Sequence, residues 1–281
     1  MGPAFRFYKW VIHTKNVIRK AFRDGYIAFS GMLRCMGLCR TENSKLLYSY
    51  KNKHKGQRCF LVGNGPSLQL SDLEGLNKKG EITFGCNLVT KIFGETIWRP
   101  NFYFLIHRIC AKFQSEEINE AIGEIPLFTN ITTYNIFREK PKNPVILYNI
   151  ARDKYKVKRS PLAYYIPSGS TVMSLMIEMA VYMGFSEIYL IGCDCTSTFS
   201  GNTHFIKGYT DDKLKARDAK KIVDRMRRLG IQSDDYEKYF LDGSLNAYTL
   251  LKEHAIKHGV TIYNATRGGA LEVFDRVDLD D

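Results

Sequence analysis

The sequence alternates short apolar runs, each ended by glycine or a small polar residue, with longer stretches of helical character. Residues 58–62 (Arg-Cys-Phe-Leu-Val) and 187–191 (Glu-Ile-Tyr-Leu-Ile) have the length and composition of buried strands, and glycine follows both. Residues 170–183 are apolar on almost every side and end before Gly184, which is typical of a buried helix. Strands that alternate with helices in this way predict an α/β fold with a Rossmann-like, doubly wound, mostly parallel sheet.

Weaker patterns predict the remaining elements of this sheet and its covering helices. A helix is expected to begin at Ser71, because Glu74 stands three residues later, at the spacing of a capping box. Further strands are predicted over residues 81–86, 102–106, 125–128, 145–148 and 260–263, and further helices over residues 211–229 and 245–258.

Positive charge is concentrated at the start of the chain. The protein carries 41 Lys and Arg against 29 Asp and Glu, a formal net charge of +12. Residues 1–57 hold 12 basic and two acidic groups, so about ten of these excess charges lie there. A nucleic-acid-binding domain would carry its basic surface on the folded body, so the distribution argues against a nucleic-acid partner. We divide the chain into a basic N-terminal extension with linker, residues 1–57, and a nucleotide-binding catalytic domain, residues 58–281.

The extension mixes aromatic and aliphatic side chains with basic ones. Trp10, Val17, Ile18 and Phe22 recur at roughly helical spacing, with basic residues between them. A helix of this kind lies in the headgroup region of an acidic membrane, or packs its apolar side on the domain or on a second subunit. The sequence leaves both interpretations open, with membrane contact assigned to residues 1–40. Residues 43–57 are polar and basic and are interpreted as the linker.

Cysteine usage and the absence of a secretory pattern predict the compartment. The seven cysteines are scattered and include no Cys-x-x-Cys pair, which is the usage of a reduced, cytosolic protein. No apolar stretch near the start has the form of a secretory signal or approaches the roughly 20 residues of a membrane span. We expect a cytoplasmic protein, with the extension offering a route to peripheral binding on the inner face of the membrane. No ligands pair at the short spacing of a zinc site, so no metal residues are assigned.

Small and polar residues follow each predicted core strand. The segments 63–67 (Gly-Asn-Gly-Pro-Ser), 85–87 (Gly-Cys-Asn) and 192–194 (Gly-Cys-Asp) end three strands, and 168–170 (Ser-Gly-Ser) precede the buried helix. In doubly wound sheets, ligands bind at the carboxyl ends of the strands, near a switch in strand order. The four segments are therefore predicted to form one polar pocket.

A nucleotide phosphate is the expected ligand of this pocket. Glycine lets the backbone approach a ligand closely, and the free amides at a helix N-terminus face an anion. The pattern is neither the dinucleotide fingerprint nor a P-loop, because it lacks the third glycine and the Gly-Lys-Ser/Thr. We assign as nucleotide-binding residues Gly63, Asn64, Gly65, Ser67, Asn87, Ser168, Gly169, Ser170, Gly192 and Asp194.

Two residues are candidates for catalysis. Asp194 ends a strand, where its carboxylate can accept hydrogen bonds from a sugar or ribose hydroxyl, bind a metal, or cap a turn. His204 lies in a polar, glycine-containing loop, where a histidine either acts as a general base near neutral pH or is merely solvated. His107 and Arg108 come at the end of the third predicted strand. They either point to the same crevice, if the strand order is as expected, or take core or edge positions.

The motifs at residues 63–67, 86–87, 168–169 and 187–194 resemble those of bacterial single-domain sialyltransferases that modify lipooligosaccharide. From about residue 55 to the end, the chain is more similar to a sister family named after the archaeal 6-hydroxymethylpterin diphosphokinase, the MptE-like family, and the motility accessory factors share the same core. The resemblance implies a Rossmann-like fold. It also implies contacts to a CMP-sugar donor by Asn64, Ser67, Asn87, Ser168, Gly169, Gly192 and Asp194.

Two departures from the sialyltransferase pattern concern the chemistry. Thr203-His204-Phe205 stand where those enzymes use a tyrosine, and residues 205–253 lack the downstream catalytic histidine. Either His204 has taken over that task or the chemistry differs.

The leading hypothesis is a sialyltransferase-like glycosyltransferase of surface polysaccharide biosynthesis. It would transfer a sugar from a nucleotide donor such as a CMP-sugar to a glycan or lipid-linked acceptor. No cofactor is required, because oriented amides and hydroxyls can stabilise the leaving CMP. The alternatives are a pyrophosphokinase that uses ATP and magnesium on a pterin-like alcohol, with Asp194, Asp211 and Asp212 as carboxylates, and a non-catalytic glycan-assembly protein.

Overall fold

A three-layer α/β architecture is formed by the residues that the computed structural model describes. These are residues 41–148, 151–153, 165–167, 171–196, 204–205 and 230–279, with single residues and short stretches between 14 and 38 and between 220 and 227. The main sheet contains β1 (Arg58–Val62), β2 (Thr83–Cys86), β3 (Phe102–Phe104), β4 (Leu127–Asn130), β5 (Pro144–Leu147), β8 (Glu187–Ile191), β9 (Thr261–Asn264) and β10 (Asp275–Arg276). Strands β6 (Ala151–Asp153) and β7 (Tyr165–Pro167) pair separately.

The described helices connect these strands. They are α1 (Glu42–Tyr50), α2 (Leu70–Lys78), α3 (Arg108–Phe113), α4 (Ser115–Ile122), α5 (Ile131–Tyr134), α6 (Val172–Met183) and α7 (Ser233–Lys257), with a 3-10 helix at Asn87–Ile92. None of the helices in the described part of the chain is long and apolar enough to cross a membrane.

The sheet has the strand order β10-β9-β8-β1-β2-β3-β4-β5, and all described pairings within it are parallel. The first strand along the chain, β1, lies near the centre of the sheet. Strands β2 to β5 follow in order towards one edge, and β8, β9 and β10 lie in order on the other side of β1. The switch in strand order therefore lies between β1 and β8, which pair over five positions from Arg58–Glu187 to Val62–Ile191. The predicted doubly wound, parallel α/β fold is confirmed.

Successive side chains of β1 point to opposite faces of the sheet and join different apolar clusters. Cys59 and Leu61 belong to one apolar cluster, with side chains of α1, α6 and α7. Phe60 and Val62 belong to a second cluster, with side chains of α2, α3 and α4. This is the pattern expected of a strand that is covered on both sides.

Three predicted elements differ from the structure. Residues 42–50, interpreted as part of the linker, form helix α1, which buries Leu47 and Tyr50 in the core. Helix α2 begins one residue before Ser71, with Gln69 as N-cap, because Asp72 accepts the Gln69 N–H at 3.0 Å and takes the place predicted for Glu74. Helix α7 begins well before residue 245.

Two further predictions lie largely outside the described residues. Of the helix predicted over residues 211–229, only residues 220, 222–224 and 226–227 are described, and these are helical. The division of the chain at residue 57 stays a prediction, although α1 shows that the core draws on residues before it.

Candidate functional site

The turns after β1 and β8 are joined at the switch in strand order. The N–H of Gly63 donates to the Ile191 carbonyl at 2.8 Å, and the N–H of Gly65 donates to the Gly192 carbonyl at 2.9 Å. These bonds continue the β1–β8 ladder past the end of both strands. The two glycine-containing turns predicted from the sequence thus form one unit, at the position where doubly wound sheets bind their ligands.

The close approach of these turns explains their glycines. A Cβ at position 63 would lie 2.3 Å from the Gly192 carbonyl oxygen, and a Cβ at position 65 would lie 1.8 Å from Asp194 Oδ2. Gly192 itself has φ +63°, in the left-handed region that favours glycine. Side chains at these three positions would force the turns apart.

Asp194 is held within this unit. Its side chain accepts a hydrogen bond from Ser67 Oγ at 2.9 Å, and the residue is only 7% exposed. Asn64 is 9% exposed, and its Nδ2 donates to the Cys86 carbonyl at 3.0 Å. Asn64 therefore ties the end of β1 to the end of β2, while Asp194 and Ser67 tie the end of β8 to the start of α2.

Asn87, at the end of β2, has an unusual conformation. Its φ is +51°, although it is not glycine, and the Tyr103 hydroxyl donates to its backbone carbonyl. Within the described part of the chain, its buried Oδ1 has no hydrogen-bond partner. Backbone strain and unsatisfied buried polar atoms both concentrate at functional sites. Both observations are those expected of the site role that the sequence predicts for Asn87, and that role stays a prediction.

A third turn, after β9, packs against the turn after β8. None of its residues was among the site residues predicted from the sequence. Thr266 Oγ1 accepts the N–H of Cys193 at 3.0 Å, and the N–H of Ala270 donates to the Asp194 carbonyl at 2.7 Å. Gly269 has φ +78°, and a Cβ there would lie 2.6 Å from that same carbonyl oxygen. The segment Asn264–Gly269 follows a strand with the polar, glycine-rich composition used to find the other turns, so the same signal was present.

Two arginines hold the third turn in place. Arg267 pairs with Asp72 of α2 through two bonds of 2.7 and 2.8 Å. Arg276 of β10 donates to the carbonyls of Thr266 and Gly268 at 2.9 and 2.7 Å. The turns after β1, β8 and β9 are therefore connected to one another by hydrogen bonds, and a bidentate charged pair, which is the stronger kind of bond, joins the third turn to α2.

His204 is brought to the same edge of the sheet. The N–H of its neighbour Phe205 donates to the Asn64 carbonyl at 3.2 Å. Burial, together with the nearby charge of His107, lowers the pKa of His204 from its ordinary value of 6.5 to about 4. His107 follows β3 and caps α3, with its Nδ1 2.9 Å from Cys110 Sγ. The imidazole of His204 is accordingly neutral at pH 7.

The lowered pKa of His204 predicts a pH dependence of stability. Between pH 6.5 and about 4, the unfolded chain binds a proton at this residue that the folded protein does not, so stability falls as pH falls through that window. In His204→Gln this contribution disappears, and the melting temperature should fall less between pH 7 and pH 4.5 than in the unmodified protein. Thermal unfolding followed by circular dichroism measures the difference.

The matched control for this experiment is His258→Gln, which removes an exposed histidine near the end of α7. Because its side chain is exposed, this variant shows the effect of replacing a histidine by glutamine outside the candidate site. Equal pH slopes for His204→Gln and the unmodified protein would contradict a partly buried, neutral His204.

The cysteines near the turns are not suited to nucleophilic chemistry. Burial raises the pKa of Cys86 to about 12 and that of Cys195 to about 11, and it raises the pKa of Cys193 well above its ordinary value. These thiols are therefore protonated at neutral pH, and a protonated thiol is a poor nucleophile and a poor metal ligand.

Some predicted site residues are not described. Ser168, Gly169 and Ser170, together with Asp211 and Asp212, lie outside the described residues. The adjoining Thr171 is the N-cap of α6, and its Oγ1 lies 3.3 Å from the hydroxyl of the buried Tyr248. Among the residues whose positions are described, no three His, Cys, Asp or Glu side chains are grouped to hold a metal ion.

Comparison with known proteins gives one family. The model of the family described as 6-hydroxymethylpterin diphosphokinase MptE-like matches residues 39–199, which include the turns after β1, β2 and β8. No curated protein matches the chain.

Proposed function

The chain belongs to the 6-hydroxymethylpterin diphosphokinase MptE-like family, and from that premise we propose that it is a nucleotide-dependent transferase. The reaction that we favour is sialyltransferase-like transfer of a sugar from a nucleotide donor, with CMP as the leaving group, during the synthesis of bacterial surface polysaccharide. The acceptor is a glycan or a lipid-linked sugar, and the reaction takes place in the cytoplasm.

The observation that supports this proposal is the close packing of the turns after β1 and β8, which the absence of side chains at Gly63, Gly65 and Gly192 allows. We call these turns the glycine-locked turns. Gly63, Gly65 and Gly192 let the two turns pack backbone against backbone, and this packing places both turns at the edge where doubly wound sheets bind nucleotides. Asp194 supplies a carboxylate, already oriented by Ser67, that can accept hydrogen bonds from ribose or sugar hydroxyls. In the proposed complex, Asn87 Oδ1 accepts a hydrogen bond from the nucleotide-sugar substrate.

His204 is proposed as the base that deprotonates the acceptor hydroxyl. A pKa of about 4 makes the imidazole neutral, and therefore able to accept a proton, but only weakly basic. A bound nucleotide phosphate brings negative charge close to the ring, which raises the pKa of a nearby imidazole towards neutrality. Donor binding would thus convert His204 into an effective base at the moment when one is needed.

The second candidate function is transfer of diphosphate from ATP to a pterin-like alcohol, which the description of the family favours. Magnesium is usually held by one or two carboxylates together with phosphate oxygens. Asp194 fits that role, and the ion would neutralise charge on the transferred group. The site geometry suits either nucleotide, so the choice depends on binding measurements.

A panel of nucleotides separates these functions. We expect CMP to raise the melting temperature by a few degrees without magnesium, because ligand at about 100 times its dissociation constant adds about 2.7 kcal/mol of stability. The measurement is thermal unfolding with CMP, CDP, UDP, GDP, ADP and ATP, each with and without magnesium.

The other outcomes of this panel are equally informative. A shift that requires both ATP and magnesium would replace glycosyl transfer by the pyrophosphokinase reaction. No shift with any nucleotide would leave a non-catalytic glycan-assembly protein as the function. As an internal control, His204→Ala should keep the CMP shift, because the proposed base acts on the acceptor and not on the nucleotide.

A further inference from the structure

The described residues between Thr14 and Arg34 are helical, and this N-terminal helical segment has a defined end. Gly37 has φ +73°, its N–H donates to the Arg34 carbonyl, and the N–H of Leu38 donates to the Leu33 carbonyl, both at 2.9 Å. This pair of bonds is the Schellman motif, which closes a helix C-terminus. The described residues of this segment therefore lie on a helix, and the spacing between them shows which of them share a face.

One face of the described part of the segment contacts the body of the protein. Gly31 and Arg34 are buried, and the Arg34 guanidinium lies 4.0 Å above the ring of Tyr148, just after β5. The hydroxyl of Tyr48, on α1, donates to the Arg34 carbonyl. The described contacts of this face with the body therefore centre on Arg34.

Another face carries large apolar side chains that are exposed. They recur at steps of three or four residues, which places them on one side of a helix with 3.6 residues per turn. Phe22 is 77% exposed and Tyr26 is 73% exposed. We call this set the apolar stripe, and its members are Ile18, Phe22, Tyr26, Phe29, Met32 and Met36.

We propose that the apolar stripe docks on an anionic lipid surface. A contiguous row of exposed apolar side chains marks a surface that a partner covers. The charge around the stripe identifies the partner: residues 1–57 carry 12 basic and two acidic groups, and Lys15, Arg19, Lys20 and Arg23 lie within the sequence of the segment. An apolar face in a strongly basic segment has the composition of helices that lie in the interface of acidic membranes.

A second copy of the chain suits the apolar stripe less well. Pairing through this face would bring together two N-terminal regions, residues 1–57 of each copy, that each carry an excess of ten positive charges, 12 minus two. Like charges at close range repel, whereas an acidic lipid surface attracts every basic residue near it. Charge therefore favours the membrane over self-association.

This surface is distinct from the nucleotide site and needs no catalytic activity. The stripe is joined to the body near α1 and β5, whereas the glycine-locked turns lie at β1 and β8. Docking would hold the protein where lipid-linked acceptors are found, but the binding itself is independent of the proposed reaction.

Flotation of the full chain with vesicles tests this proposal. We expect it to bind vesicles of phosphatidylcholine mixed with phosphatidylglycerol at low salt, to bind pure phosphatidylcholine weakly, and to lose binding as salt is raised. The double variant Phe22→Ser/Tyr26→Ser should weaken binding to the anionic vesicles about tenfold or more, because two exposed aromatic side chains no longer insert.

The matched control is Ile97→Ser, which removes an 81% exposed apolar side chain from the body. It should bind anionic vesicles as the unmodified protein does. Equal binding by the double variant, or no binding by the unmodified protein, would overturn the proposal. So would a dimer in light scattering that the double variant converts to a monomer, because the stripe would then be an interface between copies.

Discussion

Gly63→Ala should destabilise the protein by about 3 kcal/mol or more, because the added Cβ would lie 2.3 Å from the Gly192 carbonyl oxygen and 2.8 Å from its carbon. Both atoms belong to backbone that continues the β1–β8 ladder, so neither can swing aside as a flexible side chain would. The turns must separate, and the hydrogen bond from Gly63 to Ile191 is strained or lost. Chemical denaturation gives the free energy of unfolding that tests this.

Gly75→Ala is the matched control for that substitution. Gly75 lies inside helix α2, and a Cβ there meets no atom within 4 Å. Alanine is a better helix former than glycine, so this variant should be more stable than the unmodified protein by about 1 kcal/mol. If the two variants changed stability by the same amount, the close approach of the turns would be refuted.

Asp194→Asn should weaken binding of the stabilising nucleotide about 10- to 100-fold while the protein remains folded. The amide has the size of the carboxylate and still accepts the Ser67 hydrogen bond, but it loses the charge that strengthens hydrogen bonds to ligand hydroxyls. Hydrogen bonds to charged groups contribute about 1.5–3 kcal/mol, which corresponds to that range of affinity. Titration calorimetry with the nucleotide from the panel measures the change.

The control for Asp194 is Asp242→Asn on helix α7. Asp242 is largely exposed and pairs with Lys238 at 3.2 Å, four residues earlier on the same helix. Exposed pairs of this kind contribute little, so nucleotide affinity should be unchanged. Unaltered affinity in Asp194→Asn as well would remove Asp194 from the binding site and, with it, the carboxylate on which both candidate reactions depend.

Local patterns were sufficient to predict the strands that form the centre of the sheet. Strands β1 and β8 are five-residue apolar runs ended by glycine, and the structure gives them the predicted bounds. Helix α1 was missed because its burial rests on a few side chains, Leu47 and Tyr50 among them, within a polar sequence. Tertiary packing stabilises such a helix, and its own sequence gives little sign of it.

The site was predicted in part for the same reason. The turns after β1, β2 and β8 could be found because each follows an obvious strand. The turn after β9 has the same composition, but its place in the site depends on β9 lying next to β8, and strand order is a long-range property. The position of His204 depends on long-range contacts of its neighbour Phe205, which donates a backbone bond to Asn64 and packs against the second apolar cluster, and no sequence pattern predicts such contacts.

The strand order also has a consequence for how the protein is made. On the ribosome, β1 can pair with β2 as soon as residue 86 has emerged, but its other neighbour, β8, is synthesised about a hundred residues later. The turn that anchors Cys193 and Asp194 comes later still, and Arg276, which holds it, follows about 80 residues after Asp194. Until β8 has been made, the edge of β1 that β8 covers stays open, which exposes unpaired backbone of an apolar strand to other nascent chains. The turns of the candidate site are thus completed after the centre of the described sheet has begun to form, and the stage before β8 is made is the one at which a chaperone would protect the exposed edge of β1.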